Sequence, residues 1–269
     1  FFVAGGKGRV SRGTPAEIEA ITARFSLPRD PAELVYASRM AAKVDSGCLQ
    51  DDFQIYHHCF LFTKEGKWSV IQQGMNEESR TARRYHWLGE KVDDFVCEPH
   101  QAVCCDRTGT ILNMVARESQ ESREVSTALA KEDPEKILGE LKKLKELSLP
   151  HRHEVLARDL HPDSLSRILL KTYEKAPPDF ERLLGMEGVG AKTIRALALL
   201  SEVVHGVPAS RRDPVRYSFA HGGKDGFPYP VNRPEYDRSI SILASALKAA
   251  RLGRSDKLEA FRRLSRFQV

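Results

Sequence analysis

The chain has 269 residues, enough for two domains with their own cores, and its 42 Lys and Arg against 37 Asp and Glu leave a net charge of +5 and a pI near 8.9. That balance suits an anionic partner without demanding one. No apolar run approaches the span of a bilayer and no basic-then-apolar leader precedes a cleavage site, so a soluble, cytoplasmic protein with no membrane partner is expected.

The sequence opens Phe1-Phe2 without an initiator methionine, which predicts a fragment lacking an upstream part. Cys48, Cys59, Cys97, Cys104 and Cys105 form an odd set without C-x-x-C, which predicts free thiols rather than a disulfide framework. Cys97, His100 and Cys104 have a spacing compatible with zinc if His57 or His58 supplies a fourth ligand. No cofactor is otherwise called for.

In chain order, residues 1–13 read as a strand end and a basic loop carrying Lys7, Arg9 and Arg12. Thr14-Pro15-Ala16-Glu17 has the form of a capping box, predicting a helix to about Phe25. Residues 31–43 predict a second helix with Leu34, Val35, Ser38, Ala41 and Ala42 on one face. It is expected to end in Lys43-Val44-Asp45-Ser46-Gly47. Lys43 and Asp45 there make either a reserve nucleophile with its partner or a solvated lysine favoured by the helix dipole. Asp45, Asp51 and Asp52 are also the carboxylates a magnesium nuclease would use.

Two β-rich runs around Lys64-Glu65-Gly66-Lys67 predict a hairpin. One face would carry Phe53, Ile55, His57, Cys59 and Leu61, and the other Gln54, Tyr56, His58, Phe60 and Phe62. Tyr56 and His58 are candidate base-pocket residues, and a half-solvated sheet face is the alternative. Residues 77–89 read as a short basic-aromatic helix in which Arg83 and Arg84 contact phosphate and Tyr85, His86 and Trp87 offer rings for stacking, with Trp87 and Leu88 as simple core residues the alternative. Two short extended runs around Gly109 would then complete a small α+β domain over residues 1–115.

From residue 116 the composition shifts to Glu, Lys, Ser and Leu, predicting an all-α domain over residues 116–269. One helix would run from an Asp133 cap to about Leu147 and another from Asp163 to Lys175. Two amphipathic helices, Tyr236 to Leu252 and Asp256 to Phe267, would close the chain. The fold class expected is α+β, with antiparallel hairpins first and helices after.

The stretch from Phe180 to Arg216 carries the functional expectation. Leu183, Leu184 and Met186 precede Gly188-Val189-Gly190-Ala191-Lys192-Thr193, and Ile194, Leu197, Ala198, Leu200 and Ser201 follow at helical spacing. Helix, glycine turn and helix leave the amides of Gly188, Gly190, Ala191 and Thr193 available to an anion at the positive end of a helix dipole. This segment resembles the helix-hairpin-helix of DNA repair proteins, which grips a phosphate without reading sequence. In the helix-hairpin-helix DNA glycosylases a Gly/Pro loop leads to an essential aspartate, and lyase members place a Schiff-base lysine just after the turn. The resemblance therefore implies Asp213, after His205-Gly206-Val207-Pro208, and Lys192 as catalytic residues; the alternatives are that Lys192 only contacts phosphate and that Asp213, before Pro214, is an ordinary turn or cap residue. A carboxylate would stabilise the sugar cation while an amine attacks C1′. The Gly- and Pro-rich run that follows, with Arg216, Tyr217, His221 and Lys224, is expected to lie against DNA, Tyr217 and His221 near the base.

The blocks KVDSGCLQDDFQIYHH, QQGMN, ARRYHWLG, DDFVCEPH and DPVRYSFAHGGKDGFPYPV resemble, over nearly the whole chain, an archaeal and bacterial family known as a domain of unknown function. Together the resemblances imply a DNA-repair glycosylase, with or without AP-lyase activity, that flips a damaged or modified base, a pyrimidine by resemblance, out of double-stranded DNA. No obligate protein partner is implied. A non-catalytic DNA-binding module and a metal-dependent nuclease are the alternatives. This sequence departs from ordinary helix-hairpin-helix glycosylases in its β-rich start, in having no iron–sulfur cysteine cluster, and in the extra residues Ala209 to Arg212.

Overall fold

The computed structural model describes residues 1–105, 107–146, 162–215 and 232–265. The alternating runs fold as the expected hairpin, β3 (Gln54–Phe62) and β4 (Trp68–Asn76), closed by a turn in which Thr63 N–H reaches the Lys67 carbonyl. A third antiparallel strand, β5 (Thr81–Leu88), occupies the segment expected to be a basic-aromatic helix. Its true period is two: Arg83, Tyr85 and Trp87 point inward and are buried, while Arg84 is exposed on the opposite face. Glu77 to Arg80 form the connecting loop, fixed by Asn76 accepting from Ser79 N–H and by Arg80 at φ 55°.

Two outer strands, β1 (Phe2–Lys7) and β6 (Ala102–Cys104), complete a five-stranded antiparallel sheet of order β1-β3-β4-β5-β6. Gly5 in β1 adopts φ 92°, and an added Cβ would stand 2.3 Å from the His58 carbonyl oxygen, so only glycine fits there. A second sheet joins β2 (Leu49–Gln50), β7 (Thr110–Asn113) and β8 (Ser210–Arg212) in the order β2-β7-β8. The two extended runs expected around Gly109 are therefore not partners. Each completes a different sheet.

Phe60, Phe62, Val70, Tyr85, Trp87 and Val103 form the buried face of the large sheet, against which α1 (Thr14–Arg24) and α2 (Pro31–Gly47) belong to one core. The expected capping box of α1 does not form. Thr14 is buried and donates to the Ser11 carbonyl, while the Glu17 carboxylate accepts from Gly5 N–H at 2.8 Å and ties the helix to β1. A 3-10 helix, Gly8–Gly13, replaces the basic loop. Helix α2 starts as expected, with Asp30 accepting from Ala32 N–H, but continues past Lys43 because Val44 and Asp45 are buried.

The same core runs on through α3 (Gln120–Leu129), α4 (Pro134–Glu146), α5 (Pro162–Lys175), α6 (Phe180–Gly185) and α7 (Ala191–Val203), so hydrophobic packing is continuous across residue 115. Helix α7 buries Ile194, Leu197, Ala198, Leu200 and Ser201 as their spacing predicts. Contacts divide the chain into Phe2–Tyr217 and a unit over Ser218–Val269. Within the latter, α8 (Arg233–Ala249) and α9 (Arg254–Ser265) pack together around Leu247, Ala260 and Leu264. Among the described residues no helix is long and apolar enough to cross a membrane.

Candidate functional site

The turn between α6 and α7 is built from the inside by Lys43. Its ammonium donates to the carbonyls of Leu184 at 2.7 Å, Met186 at 2.6 Å and Val189 at 3.1 Å. Burial lowers the Lys43 pKa from the usual lysine value, yet three carbonyl acceptors match the three N–H groups that only the ammonium has. Lys43 is a structural clamp here, not a free amine. Gly188 takes φ 88°, which bends the chain where a side chain would strain it. Gly190 then starts α7 with no side-chain cap and no acidic residue in the first turn. The orphan N–H groups of that turn are left to solvent or a ligand. Lys192 is exposed and has no hydrogen-bond or ion-pair partner among the described residues, whereas the Thr193 side chain is buried.

Two consecutive residues fasten this turn to the second predicted catalytic segment. Gln50 donates to the Ala191 carbonyl at 2.9 Å and accepts from Arg195 Nε at 2.6 Å. Its neighbour Asp51 accepts from Arg83 Nη1 at 2.8 Å, and Arg83 Nη2 reaches Asp213 Oδ2, also at 2.8 Å. Gln50, the last residue of β2, thus holds the start of α7, and Asp51, the residue just after the strand, holds Asp213 through a guanidinium.

Arg83 is only 2% exposed and stacks over Phe53 at 4.6 Å, so it is an internal ion-pair partner rather than a surface phosphate contact. Arg84, pointing the other way, keeps its exposure. Burial pushes Asp51 up to about 6, against the attraction of Arg83 and hydrogen bonds from Tyr85 and Phe53 N–H. Burial works against the Arg83 charge, but Asp51 and Asp213 more than offset it and hold that pKa above the ordinary arginine value. Among the described residues these two carboxylates share one cation, which leaves a surplus of negative charge in the cluster whenever both are ionised. Asp213 also accepts from Gly109 N–H at 2.9 Å and Val215 N–H at 3.1 Å.

Asp213 lines a cavity of about 210 Å³ together with His100, Asn113, Glu98, Ser210 and Arg212. This is smaller than the usual site for a drug-sized ligand, which suits a single small group. No lysine lines it among the described residues. His100 is held from behind: its Nε2 meets Asp45 Oδ1 at 2.5 Å, and its ring packs edge-on against Trp87 with centroids 4.6 Å apart. The Asp45 carboxylate is fully buried and also accepts from Gln72 Nε2 and from Trp87 Nε1 at 3.0 Å. Lys43 and Asp45 therefore do not act as a pair. They leave α2 in different directions, one to the glycine turn and one to the sheet.

Gln72 extends the network inward. Its amide nitrogen donates to Ala41 and Asp45, so its oxygen accepts from His58 Nδ1–H at 2.9 Å, and His58 Nε2 accepts from the Ser38 hydroxyl at 2.9 Å. Burial lowers the His58 pKa and keeps the ring neutral. His58 is thus a satisfied core histidine. Tyr56 lies beyond a register shift between Ile55 and His57 and stacks under Lys7 instead, so the two expected pocket residues do not share a site.

Arg216, Tyr217, His221 and Lys224 lie outside the described residues. Cys97 and Cys104 are half-buried free thiols. Among the described residues no group of three or more His, Cys, Asp or Glu is placed to hold a metal, and Asp45 and Asp51 spend their oxygens on protein donors. The Asp45–His100 pair escapes sequence reasoning because its members stand 55 positions apart and no local motif joins them. A family model described as protein of unknown function (DUF763) matches residues 1–231. No curated protein and no solved structure matches the chain.

Proposed function

The chain belongs to that family, and we propose that it binds double-stranded DNA through the α6–α7 turn and acts as a DNA N-glycosylase at the cavity that holds Asp213. The observation that carries this reading is the attachment of both segments to two consecutive residues, Gln50 at the end of β2 to the start of α7 and Asp51 just after it, through Arg83, to Asp213. Uncapped amides beside an exposed lysine suit a phosphodiester, whose oxygens accept N–H bonds and favour the positive helix end. A carboxylate in a cluster with surplus negative charge suits the sugar cation that develops as an N-glycosidic bond breaks. Lys192 then serves as a phosphate contact. Schiff-base attack by Lys192 is the second reading, favoured by its exposed and unpartnered amine.

A panel of duplexes, each with one damaged or modified base and assayed in EDTA, tests the proposal. Release of free base from at least one duplex by the wild-type chain is expected. Asp213→Asn should abolish that release while duplex affinity stays within several-fold. Duplex binding with no base released would reduce the protein to a binding module, and cleavage that needs magnesium would make it a nuclease.

A further inference from the structure

The cavity contains one arrangement that the glycosylase reading does not use. His100 is buried over nine-tenths of its side chain, and Asp45 behind it takes Nε2. The other ring nitrogen, Nδ1, has no hydrogen-bond partner among the described residues, yet it is not one of the fully buried atoms left without a partner. His100 lines the cavity, which is the space onto which an accessible Nδ1 can open. A carboxylate against one imidazole nitrogen fixes the proton there and leaves the lone pair on the other. Trp87 and Tyr85 hold the plane of the ring, with centroids 4.6 and 6.2 Å away. The Nε2 partner and the packing of the ring are both set before any ligand arrives.

We infer that His100, oriented by Asp45, is a catalytic acid–base group of this cavity, working on a water and a nucleobase leaving group. The inference rests on the glycosylase reading and deepens it. As water oxygen bonds to C1′, one water proton passes to His100 Nδ1. The bond from C1′ to the base nitrogen breaks, and its electron pair leaves with the base. Nδ1 then returns the proton to the departing base, and the resting imidazole is restored. Asp45 carries the countercharge while the ring is an imidazolium, and Asp213, with Arg83, faces the sugar cation. A purely structural histidine would need neither a free nitrogen nor a cavity in front of it. Most of the other polar groups in this core, such as His58 with Ser38 and Gln72, are saturated.

His100→Gln is the informative variant, because its amide can still donate to Asp45 where Nε2 stood while the basic nitrogen is gone. On a duplex the wild type processes, kcat should fall about 10²–10⁴-fold with KM within several-fold, and the acidic limb of the pH–rate profile should disappear. Asp45→Asn should lower kcat with KM within several-fold. In the wild-type chain, nitrogen NMR should show His100 protonated at Nε2 and bare at Nδ1 near neutral pH. Base release by His100→Gln at the wild-type rate, with the acidic limb intact, would overturn this role and leave the glycosylase reading standing. A His100 protonated at Nδ1 would overturn it as well. A wild-type chain that releases no base from any duplex sinks both.

Discussion

Lys43 donates to the Met186 carbonyl at 2.6 Å across 143 positions of sequence, and the same ammonium holds the carbonyls of Leu184 and Val189. With those carbonyls drawn inward, the geometry of the glycine turn depends on a residue of a distant helix. Lys43→Met keeps the length of the side chain but strands three acceptors. Hydrogen bonds to a charged group contribute about 1.5–3 kcal/mol each, and removing one partner exposes the cost of the others. A loss of about 2–4 kcal/mol is expected in urea denaturation, with duplex affinity falling as the turn loosens. Unchanged midpoint and affinity would mean that the turn holds its own shape.

Lys192 separates the two readings of the turn. As a phosphate contact, Lys192→Gln should weaken duplex binding several-fold and reduce the salt slope of log Kd by about one, while base release at saturating DNA persists. A Schiff-base nucleophile behaves in the opposite way: borohydride trapping disappears and affinity is nearly kept. The first outcome is expected, because no lysine lines the Asp213 cavity among the described residues. Loss of trapping with full affinity would move catalysis to Lys192.

Arg83 is the one cation that, among the described residues, pairs with both Asp51 and Asp213. Removing it leaves two carboxylates buried without their partner, and breaking such a pair typically costs about 3–5 kcal/mol. Arg83→Met should therefore be among the most destabilising single changes in the chain. Adding Asp51→Asn should recover part of the loss, since the charge left behind is then neutral. Equal stability of the single and double variants would show that the cost comes from lost packing on Phe53 rather than from charge.

What could be read along the chain was local. The β3/β4 hairpin shows as period-two alternation broken by Gly66, and α7 as apolar residues at spacings of three and four after Gly190. The basic-aromatic run of β5 defeats the same logic, since Arg, Tyr and Trp sit on every second position but also fit a helical turn. Thr14 and Glu17 have the spelling of a capping box, and a strand amide at Gly5 takes the glutamate first. Asp45 reads as a helix-end residue because its three partners, Gln72, Trp87 and His100, come from three other segments. Distance in sequence hid the His100 pairing for the same reason. Lys192 and Asp213 stood out only through resemblance, and the guanidinium that fastens Asp213 is not spelled in any motif.

Asp51 gives the fold a pH dependence of definite sign. Its folded pKa, raised by burial to about 6, lies above the ordinary value of 3.8, so between those limits the folded chain binds more protons than the unfolded one. Stability from this group is therefore fully present below about pH 4 and is lost as pH rises through about 6. A shift of this size corresponds to roughly 3 kcal/mol. Asp51→Asn removes the titrating group while Asp213 continues to pair with Arg83. The stability difference, wild type minus Asp51→Asn, should then decrease by about 2–3 kcal/mol between pH 4 and pH 7 in urea titrations, beyond any constant offset from the substitution. A difference that stays level, or that grows with pH, would show that Arg83 and the two donors on Asp51 outweigh its burial and keep the carboxylate ionised throughout.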